Sequence, residues 1–279
     1  MPLISLDNVA LHFPAKGGEH RLFSQLNLTI EEGEFVSIVG QTGCGKSTLL
    51  RLILGAEHPS GGQVSVNGKC VTGPGRERGY VPQKYSLFPD KTVLQNVAFG
   101  PIAESFRVDR LLSPHWWTQR AEIRAESLQY LERLGLTRND ANKYPDQLSG
   151  GMQQRVAIAQ ALILRPRILL MDEAFSALDP ATRADMQRLI RSIWEQTKTT
   201  IIFVTHNLAE AVYLSSRVVL LARDSGRDRS HVALNLPVLP SIRGADGYPR
   251  ASELQSIIHQ LESAALSGHL EQEMAEFGG

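Results

Sequence analysis

Hydrophobic and polar positions alternate in short runs along the amino-terminal part of the chain. Residues 26–30 alternate, and residues 35–39 form a compact, mainly apolar run that ends at glycine. Such runs, bounded by turn residues, predict short strands and turns over 3–39. Residues 46–54 carry their apolar side chains on one helical face, so a helix is predicted directly after the strand at 35–39.

The middle of the chain has a different spacing, with apolar residues every three or four positions from about 92 to 165. This spacing predicts helices, most clearly at 121–134 and 152–164. Short apolar strands then return, separated by a helix predicted over 180–196 with proline near its start. The later strands are predicted at 168–171, 201–204 and 218–221.

This order of segments predicts the fold class. Short apolar strands separated by helices indicate an α/β domain with a parallel sheet covered on both faces. The helical stretch at about 92–165 is predicted to be an inserted subdomain. Residues 223–250 are polar, rich in glycine and proline, and without clear periodicity, which predicts a polar linker. Residues 251–279 are predicted to form an amphipathic helix with an acidic end.

Composition narrows the possible environments. The 279 residues suit one large domain with an appendage, and Lys+Arg and Asp+Glu are both 29, so the formal net charge is zero. This balance argues against nucleic acid as a partner. Cys44 and Cys70 have no metal-ligand spacing, which fits a reducing cytosol. We expect neither a signal peptide nor a membrane span, so at a membrane another chain would have to hold this one.

The strongest chemical motif is a phosphate-binding P-loop at residues 40–48, between a predicted strand and a predicted helix. Its residues are Gly40, Gln41, Thr42, Gly43, Cys44, Gly45, Lys46, Ser47 and Thr48. Glycines let backbone N–H groups surround phosphates at the helix N-terminus. Lys46 would reach the β- and γ-phosphates and Ser47 would bind Mg²⁺. The alternative, a glycine-rich turn with a chance Lys-Ser, does not account for the flanking strand and helix.

A pair of carboxylates follows a later apolar strand. Asp172 and Glu173 come directly after residues 168–171. This order would place Asp172 near the metal and Glu173 toward an attacking water. The alternative is a helix N-cap or an ion-pair partner.

The segment that narrows the family lies before this strand. It comprises Leu148, Ser149, Gly150, Gly151 and Gln153. In isolation it is also a plausible helix cap. Here the chain resembles the ABC ATPase family, whose LSGG signature stands just upstream of the Asp-Glu strand. A serine hydroxyl, two glycines and a helix N-terminus are suited to a second phosphate cradle.

The resemblance, over roughly residues 3–222, implies further roles. Gln83 occupies the position of the Q-loop glutamine, which contacts Mg²⁺ and water. Asp179 belongs to a segment that resembles the D-loop, which crosses the dimer interface. His206 resembles the switch histidine that contacts the γ-phosphate. Phe13 falls where an aromatic residue stacks on adenine, although a core position is the alternative.

The resemblance also implies an architecture and a mechanism. The fold would be a P-loop NTPase (RecA-like) core with an N-terminal antiparallel β subdomain and an inserted α-helical subdomain. Two ATPase subunits, identical or related, would sandwich ATP and Mg²⁺ head to tail. Glu173 would act as the general base, His206 would steady the γ-phosphate, and Ser47, Gln83 and Asp172 would hold the metal.

The transported solute is indicated only by resemblance. Residues 73–79 and 94–100 resemble the ATPases of nitrate, sulfonate and taurine-type bacterial importers, whereas 171–179 also resemble those for quaternary amines. Residues 80–83 depart from the sulfonate-type pattern. The resemblance implies transmembrane permease subunits, an extracytoplasmic solute-binding protein, and a place at the cytoplasmic face of the inner membrane.

Two segments are candidate permease contacts, with ordinary packing as the alternative for both. One is the stretch from Gln83 to Gly100, with Tyr85, Leu87, Phe88 and Pro89. The other is residues 101–125, which are longer than the resemblance predicts and contain Trp116 and Trp117. Two rival functions are a soluble ABC ATPase acting in DNA repair or on ribosomes, and a P-loop enzyme outside the family such as a small-molecule kinase.

Overall fold

The computed structural model describes residues 1–15, 18–84, 86–105, 114–224, 229–239 and 249–276. The chain divides into two compact units. The first comprises Met1–Gly75, Leu170–Glu173 and Trp194–Gly279, and the second comprises Arg76–Leu169 and Ala174–Ile193.

Strands and helices follow one another in the order that the hydrophobic pattern predicts for most of the chain. The strands are β1 (Ile4–Ala15), β2 (Gly18–Ile30), β3 (Phe35–Gly40), β4 (Gly61–Val66), β5 (Lys69–Cys70), β6 (Arg78–Val81), β7 (Ile168–Asp172), β8 (Thr200–Val204), β9 (Arg217–Asp224) and β10 (Arg229–Pro237). The helices are α1 (Lys46–Leu54), α2 (Val93–Ser105), α3 (Pro114–Arg133), α4 (Gly150–Leu162), α5 (Pro180–Thr197), α6 (Leu208–Leu214) and α7 (Ala251–Glu276).

The sheet of the first unit combines a parallel part with an antiparallel part. Its strands follow the order β5-β4-β1-β2-β10-β9-β3-β8-β7. β3 lies parallel to both β8 and β9, and helices connect such strands because parallel neighbours need a crossover. β1 pairs antiparallel with β2 and β4. The predicted parallel core and the predicted antiparallel amino-terminal region are both present.

The amino-terminal strands are longer than the pattern predicts. β1 and β2 form one hairpin whose register shifts between Leu6 and Val9 and again before Leu11. Asn8 and Gln25 have positive φ angles of 49° and 62°, which marks local departures from the extended backbone. The Asn8 N–H donates to the Asn27 side-chain oxygen at 2.9 Å. Such irregularities interrupt the alternation of side chains, so the sequence pattern divides a long strand into short ones.

The prediction of a loop over 223–250 is wrong for Arg229–Pro237, which form β10. Val232 pairs with Leu221 of β9, and Leu236 pairs with Val218. The apolar residues of this strand are Val232, Ala233, Leu234 and Leu236, and its register with β9 shifts between Val232 and Leu234. Its sequence therefore shows no strict alternation of apolar and polar positions, and the surrounding polar residues favour a loop prediction. Residues 225–228 and 240–248 lie outside the described residues.

The carboxy-terminal helix packs on the hydrophobic core of the first unit. Leu261 of α7 is buried in a cluster with Val39, Val218, Leu220 and Val238. Leu254, Ile257 and Ala264 pack against the same cluster. One face of the helix therefore contributes to the core beside β3 and β9. Residues 277–279 of the predicted helix lie outside the described residues.

The second unit contains most of the helices. α2 packs against α3 and α4, and α4 also contacts β6. The buried Asn96 fixes the loop before α2, because its side-chain oxygen accepts from Phe88 N at 2.7 Å and its amide donates to Phe88 O and Lys91 O, both at 3.1 Å. Among the described helices of the chain, none combines the length and apolar character that a membrane span requires.

The predicted permease contacts are partly described. The Phe88 and Phe99 rings lie 4.6 Å apart between centroids, with the Lys91 ammonium over the Phe88 ring at 5.0 Å. Leu87 is half-buried and Pro89 is exposed. Trp117 is exposed on α3. Tyr85, residues 106–113 and the Trp116 side chain lie outside the described residues.

Candidate active site

The loop between β3 and α1 depends on glycines with left-handed backbone angles. Gly43 and Gly45 have φ angles of 86° and 92°, a region that favours glycine. Gly45 is the N-cap of α1 and supplies no side-chain cap. A Cβ atom at Gly45 would lie 2.6 Å from the Phe23 ring, whereas a Cβ at Gly43 would meet no atom within 4 Å. The loop is thus packed on one side and open at Gly43.

Lys46 is held against this loop. Its side chain is folded back, so that the residue is only 7% exposed. The ammonium donates to Gly40 O at 2.7 Å and to Gln41 O at 2.9 Å. An ammonium has three donors, so these two contacts leave a third for an anionic ligand. The first turn of α1 therefore presents a fixed positive charge beside its N-terminus.

The other loop residues divide into buried and accessible groups. Gln41, Thr42 and Gly43 are exposed, whereas Thr48 is half-buried. Cys44 is buried, and burial raises the pKa of its thiol, although nearby Lys46 acts in the opposite direction. The thiol is therefore neutral and packs beneath the loop, so the pKa gives no support for a reactive cysteine.

A hydroxyl and a carboxylate meet beside the loop. Ser47 Oγ donates to Asp172 Oδ1 at 2.9 Å, although the two residues are 125 positions apart. Asp172 is buried at the end of β7. Both residues were predicted to bind one metal ion, and they are in direct contact in the structure.

Glu173 leaves the end of β7 in a strained conformation. Its φ angle is 44°, a left-handed value that costs a non-glycine residue roughly 1–2 kcal/mol. The neighbouring strand holds it there, since Glu173 N donates to Val204 O at 2.9 Å. Strained residues of this kind cluster at functional sites.

His206 lies next to this carboxylate. His206 Nδ1 is 3.6 Å from Glu173 Oε2, a contact that is ionic only when the imidazole is protonated. The histidine is exposed, and Glu173 is half-buried. Lys46, Ser47, Asp172, Glu173 and His206 all belong to the first unit.

Three further residues hold the chain on either side of His206, and none of them was predicted from the sequence. The Thr205 hydroxyl donates to the Glu210 carboxylate, and both residues are buried. Asn207 caps α6, because its side-chain oxygen accepts from Glu210 N at 3.1 Å. The spacing Asn207-x-x-Glu210 is a helix-start pattern that could have identified this arrangement.

In the second unit the signature segment is stabilised by its own side chains. Ser149 is the N-cap of α4, and its Oγ accepts from Met152 N at 3.3 Å. Gln153 points back toward the preceding turn, where its amide donates to Pro145 O at 2.9 Å and Leu148 O at 3.2 Å. Ser149 and Gly150 are exposed, whereas Leu148 and Gly151 are buried.

The segment around Asp179 is held by the first turn of α5. Asp179 Oδ1 accepts from Ala181 N at 3.1 Å and from Thr182 N at 3.0 Å. Hydrogen bonds from the Thr182 side chain and backbone hold the pKa of Asp179 below its ordinary value. Arg183, which the sequence analysis did not single out, donates to Phe175 O at 3.2 Å and Leu178 O at 2.9 Å.

The structure describes Gln83 and Phe13 in different units. Gln83 is exposed, two residues after β6 in the second unit. Phe13 is half-buried on β1 of the first unit, opposite His20 of β2. The roles predicted for both residues stay predictions.

Comparison with known proteins decides the family. A sequence model described as ABC transporter matches residues 23–176. The chain belongs to the ABC transporter family. The match contains the P-loop, the LSGG segment and the Asp172-Glu173 pair in one span.

Several relatives are similar over most of their length. The nitrate import ATP-binding protein of Synechocystis sp. is 44% identical over 225 residues, which are 81% of this chain and 80% of that protein. The aliphatic sulfonates import ATP-binding protein of Bacillus cereus is 35% identical over 254 residues, or 91% of this chain and 90% of that protein. An ABC transporter ATP-binding protein of Methanocaldococcus jannaschii is 42% identical over 233 residues, or 84% and 82% of the two chains.

Solved structures agree with this family. The ATP-binding cassette MJ0796, solved as a dimer in a post-hydrolysis state bound to ADP and Pi, has a TM-score of 0.71 and 32% identity, covering 85% of this chain and 99% of that one. The fold class predicted from the sequence is confirmed. The present chain is a nucleotide-binding ABC ATPase, as its sequence predicted.

Proposed function

We propose that this chain hydrolyses ATP to power solute import through a separate membrane permease. The observation that carries the catalytic part is the grouping of a fixed lysine, a hydroxyl–carboxylate pair and a strained glutamate beside a histidine within one unit. Each of these groups has a role in phosphoryl transfer to water.

The phosphates of ATP would lie on residues 40–48, with adenine stacked on Phe13. Lys46 would use its third N–H on a β- or γ-phosphate oxygen. The oxygens of Ser47 and Asp172 suit Mg²⁺, which takes oxygen ligands from few protein groups together with phosphates. In keeping with this, the described residues contain no cluster of three or more His, Cys, Asp or Glu side chains that could hold a metal by itself. When bound, Mg²⁺ held by Ser47 and Asp172 would neutralise phosphate charge, and the metal-binding role of Gln83 stays a prediction from the sequence.

Hydrolysis would use Glu173 and His206. The Glu173 carboxylate would orient the attacking water and accept its proton as the oxygen–phosphorus bond forms and the bond to the leaving ADP breaks. His206 would donate a hydrogen bond to the γ-phosphate. The contact of Glu173 N with Val204 O and the buried Thr205–Glu210 pair support this proposal, since both hold the reacting side chains in fixed positions.

A second cassette, identical or related, would complete the site. Ser149, Gly150 and Gly151 of one subunit would close over the ATP held by the P-loop of the other, with Asp179 at the interface. The self-capped start of α4 supports this, because a preformed helix N-terminus attracts phosphate. The dimeric state of the similar cassette MJ0796 also supports a paired arrangement.

The solute would be a small anion such as nitrate, sulfonate or taurine. Support comes from the relatives named for nitrate and for aliphatic sulfonates. A quaternary-amine importer, or another importer, is the alternative that residues 171–179 favour. We further propose an extracytoplasmic solute-binding protein as a partner, and a location at the cytoplasmic face of the inner membrane.

Co-purification from native membranes in mild detergent tests the transport proposal. We expect a multi-span permease to accompany the chain. Phe99→Asp should weaken its capture, because Phe99 is 41% exposed beside Phe88 on the proposed contact surface. Leu239→Asp, at a residue 55% exposed in the other unit, is the control. Recovery of the parent chain without any membrane protein would overturn the transport proposal and favour a soluble ABC ATPase.

A further inference from the structure

We propose that the contact between Gly151 and Thr182 joins the signature helix to the D-loop of the same chain, so that the two move as one body. The D-loop here means residues 176–179, which directly follow Phe175, and the signature helix is α4. This inference rests on the proposed function, since it assigns a mechanical role to two segments proposed to face the second cassette.

The first observation is how closely α4 approaches α5. A Cβ atom at Gly151 would lie 2.4 Å from Thr182 Cγ2, closer than side-chain carbons come to each other. The next atoms, Thr182 Cβ at 3.7 Å and Oγ1 at 3.9 Å, are at ordinary contact distance. Gly151 lies in the first turn of α4, a conformation that any residue adopts. Glycine is therefore needed at this position for the space that Thr182 occupies.

The second observation is that the neighbours of Thr182 hold the D-loop. Asp179, at the end of the loop, is capped by the N–H groups of Ala181 and Thr182. Arg183 Nε donates to Phe175 O at 3.2 Å, and a terminal nitrogen of Arg183 donates to Leu178 O at 2.9 Å. The loop is thus attached to the first turn of α5 at both of its ends.

Together these contacts form a continuous path from one segment to the other. Protein interiors are close-packed, so a displacement of α4 toward α5 pushes the Thr182 methyl group directly. Because Thr182 and Arg183 are bonded to the loop, the D-loop is displaced with them. Closure of the signature over a nucleotide would therefore reposition the D-loop of the same chain. Gly151 and Thr182 are positioning residues in this account.

Compensating substitutions test the contact. Gly151→Ala places a methyl group against Thr182, and we expect ATPase kcat to fall roughly tenfold or more, since displacements of about 1 Å at a catalytic assembly have effects of this size. Thr182→Ser removes only the obstructing methyl and keeps the hydroxyl that bonds Asp179. The double variant should recover most of the lost kcat. A double variant as slow as Gly151→Ala would overturn the proposal.

Hydrogen exchange of the D-loop tests the same path without nucleotide. Leu178 N donates to Phe175 O at 3.2 Å, so its amide reports the state of the loop. We expect faster exchange over residues 175–183 in Gly151→Ala and parent-like exchange in the double variant. Unchanged exchange in Gly151→Ala would contradict the inference. Because this readout needs no hydrolysis, it separates failure of the inference from failure of the proposed ATPase function.

A substitution of Arg183 provides an independent test of the same inference. In Arg183→Lys the planar guanidinium, which donates to several carbonyls at once, is replaced by an ammonium that cannot do so. We therefore expect a lower kcat with little change in KM for ATP. Arg188→Lys is the control, because Arg188 is on the same helix and pairs with Asp185 through an exposed contact. A purely structural role for Arg183 would instead lower thermal stability in proportion to activity. Equal effects of both substitutions would also contradict the inference.

Discussion

The P-loop and the signature segment both place glycines at the start of a helix, but they are stabilised in opposite ways. The P-loop helix α1 is preceded by Gly45, a left-handed residue without a side-chain cap. The signature helix α4 is preceded by Ser149, an extended residue whose hydroxyl accepts from Met152 N. The first helix N-terminus has no side-chain cap of its own, whereas the second already has one.

The glycines of the P-loop and of the signature segment are required for different reasons. Gly43 and Gly45 are required for their φ angles of 86° and 92°. Gly151 is helical and is required for its small size, because Thr182 occupies the space of a side chain. The P-loop therefore requires glycine for its backbone conformation, and at Gly45 also for the space beside Phe23, whereas Gly151 requires it for helix packing alone.

Lys46→Met tests whether the P-loop, which has no side-chain cap, binds phosphate through its lysine. This substitution should have the largest effect. Loss of a charge-assisted contact to phosphate removes about 3 kcal/mol, which is roughly a 100-fold loss of ATP affinity. Titration calorimetry measures this affinity, with Lys69→Met on exposed β5 as the control. ATP affinity equal to that of the parent would contradict a phosphate-binding role for Lys46.

Gly45→Ala tests the conformational requirement of the P-loop and should have the next largest effect. The new methyl group meets both a φ of 92° and the Phe23 ring at 2.6 Å, so the free energy of unfolding should fall by about 3 kcal/mol. Gly68→Ala is the matched control, with a φ of 72° and no atom within 4 Å of the added carbon. It should lose about 1 kcal/mol. Urea unfolding of both variants measures the difference, and equal losses would rule out the packing contribution.

Ser149 substitutions separate capping from ligand recognition at the signature. Ser149→Ala should lower the free energy of unfolding by about 1 kcal/mol, the usual contribution of an N-cap. Ser149→Asp keeps the cap but repels phosphate, so stability should be retained while ATPase activity falls. Thermal unfolding and phosphate release measure the two effects. Full ATPase activity in Ser149→Asp would contradict contact between this residue and nucleotide.

We expect the carboxylate of Asp179 to make the stability of the folded chain weakly dependent on pH. Its pKa is lowered in the folded chain by Thr182, so its ionised form contributes stability that is present above the ordinary pKa and is lost as pH falls through the folded-state value. Asp179→Asn keeps a capping oxygen but not the charge. The difference in melting temperature between parent and variant should shrink from about pH 6 to about pH 3. A difference that is constant over this range would exclude the carboxylate as its cause.

The elements nearest the catalytic groups were the most predictable from sequence. β3, β7 and β8 are buried strands, so their apolar runs are unambiguous, and α1 has the predicted bounds. β10 was missed because its apolar residues do not alternate strictly with polar ones, since Ala233 stands between Val232 and Leu234 where the register shifts. Periodicity reports burial on one face, and it fails where an irregularity interrupts the alternation.

Contacts within the site were predictable only in part. Motif order associated Ser47 with Asp172, and their 2.9 Å contact agrees. The left-handed conformation of Glu173 and the contact of Gly151 with Thr182 depend on chain segments that are adjacent only in the fold. A sequence motif identifies which residue types are present, whereas strain and packing arise from the neighbours that the fold supplies.

Phosphate release by Glu173→Gln tests the central claim most directly. The amide cannot accept a proton from water, so we predict a fall in ATPase rate of about 100-fold or more with ATP binding retained. Glu32→Gln, in the exposed turn between β2 and β3, makes the same chemical change as a control and should hydrolyse ATP like the parent. A Glu173→Gln protein that hydrolyses ATP at the parental rate would contradict the account.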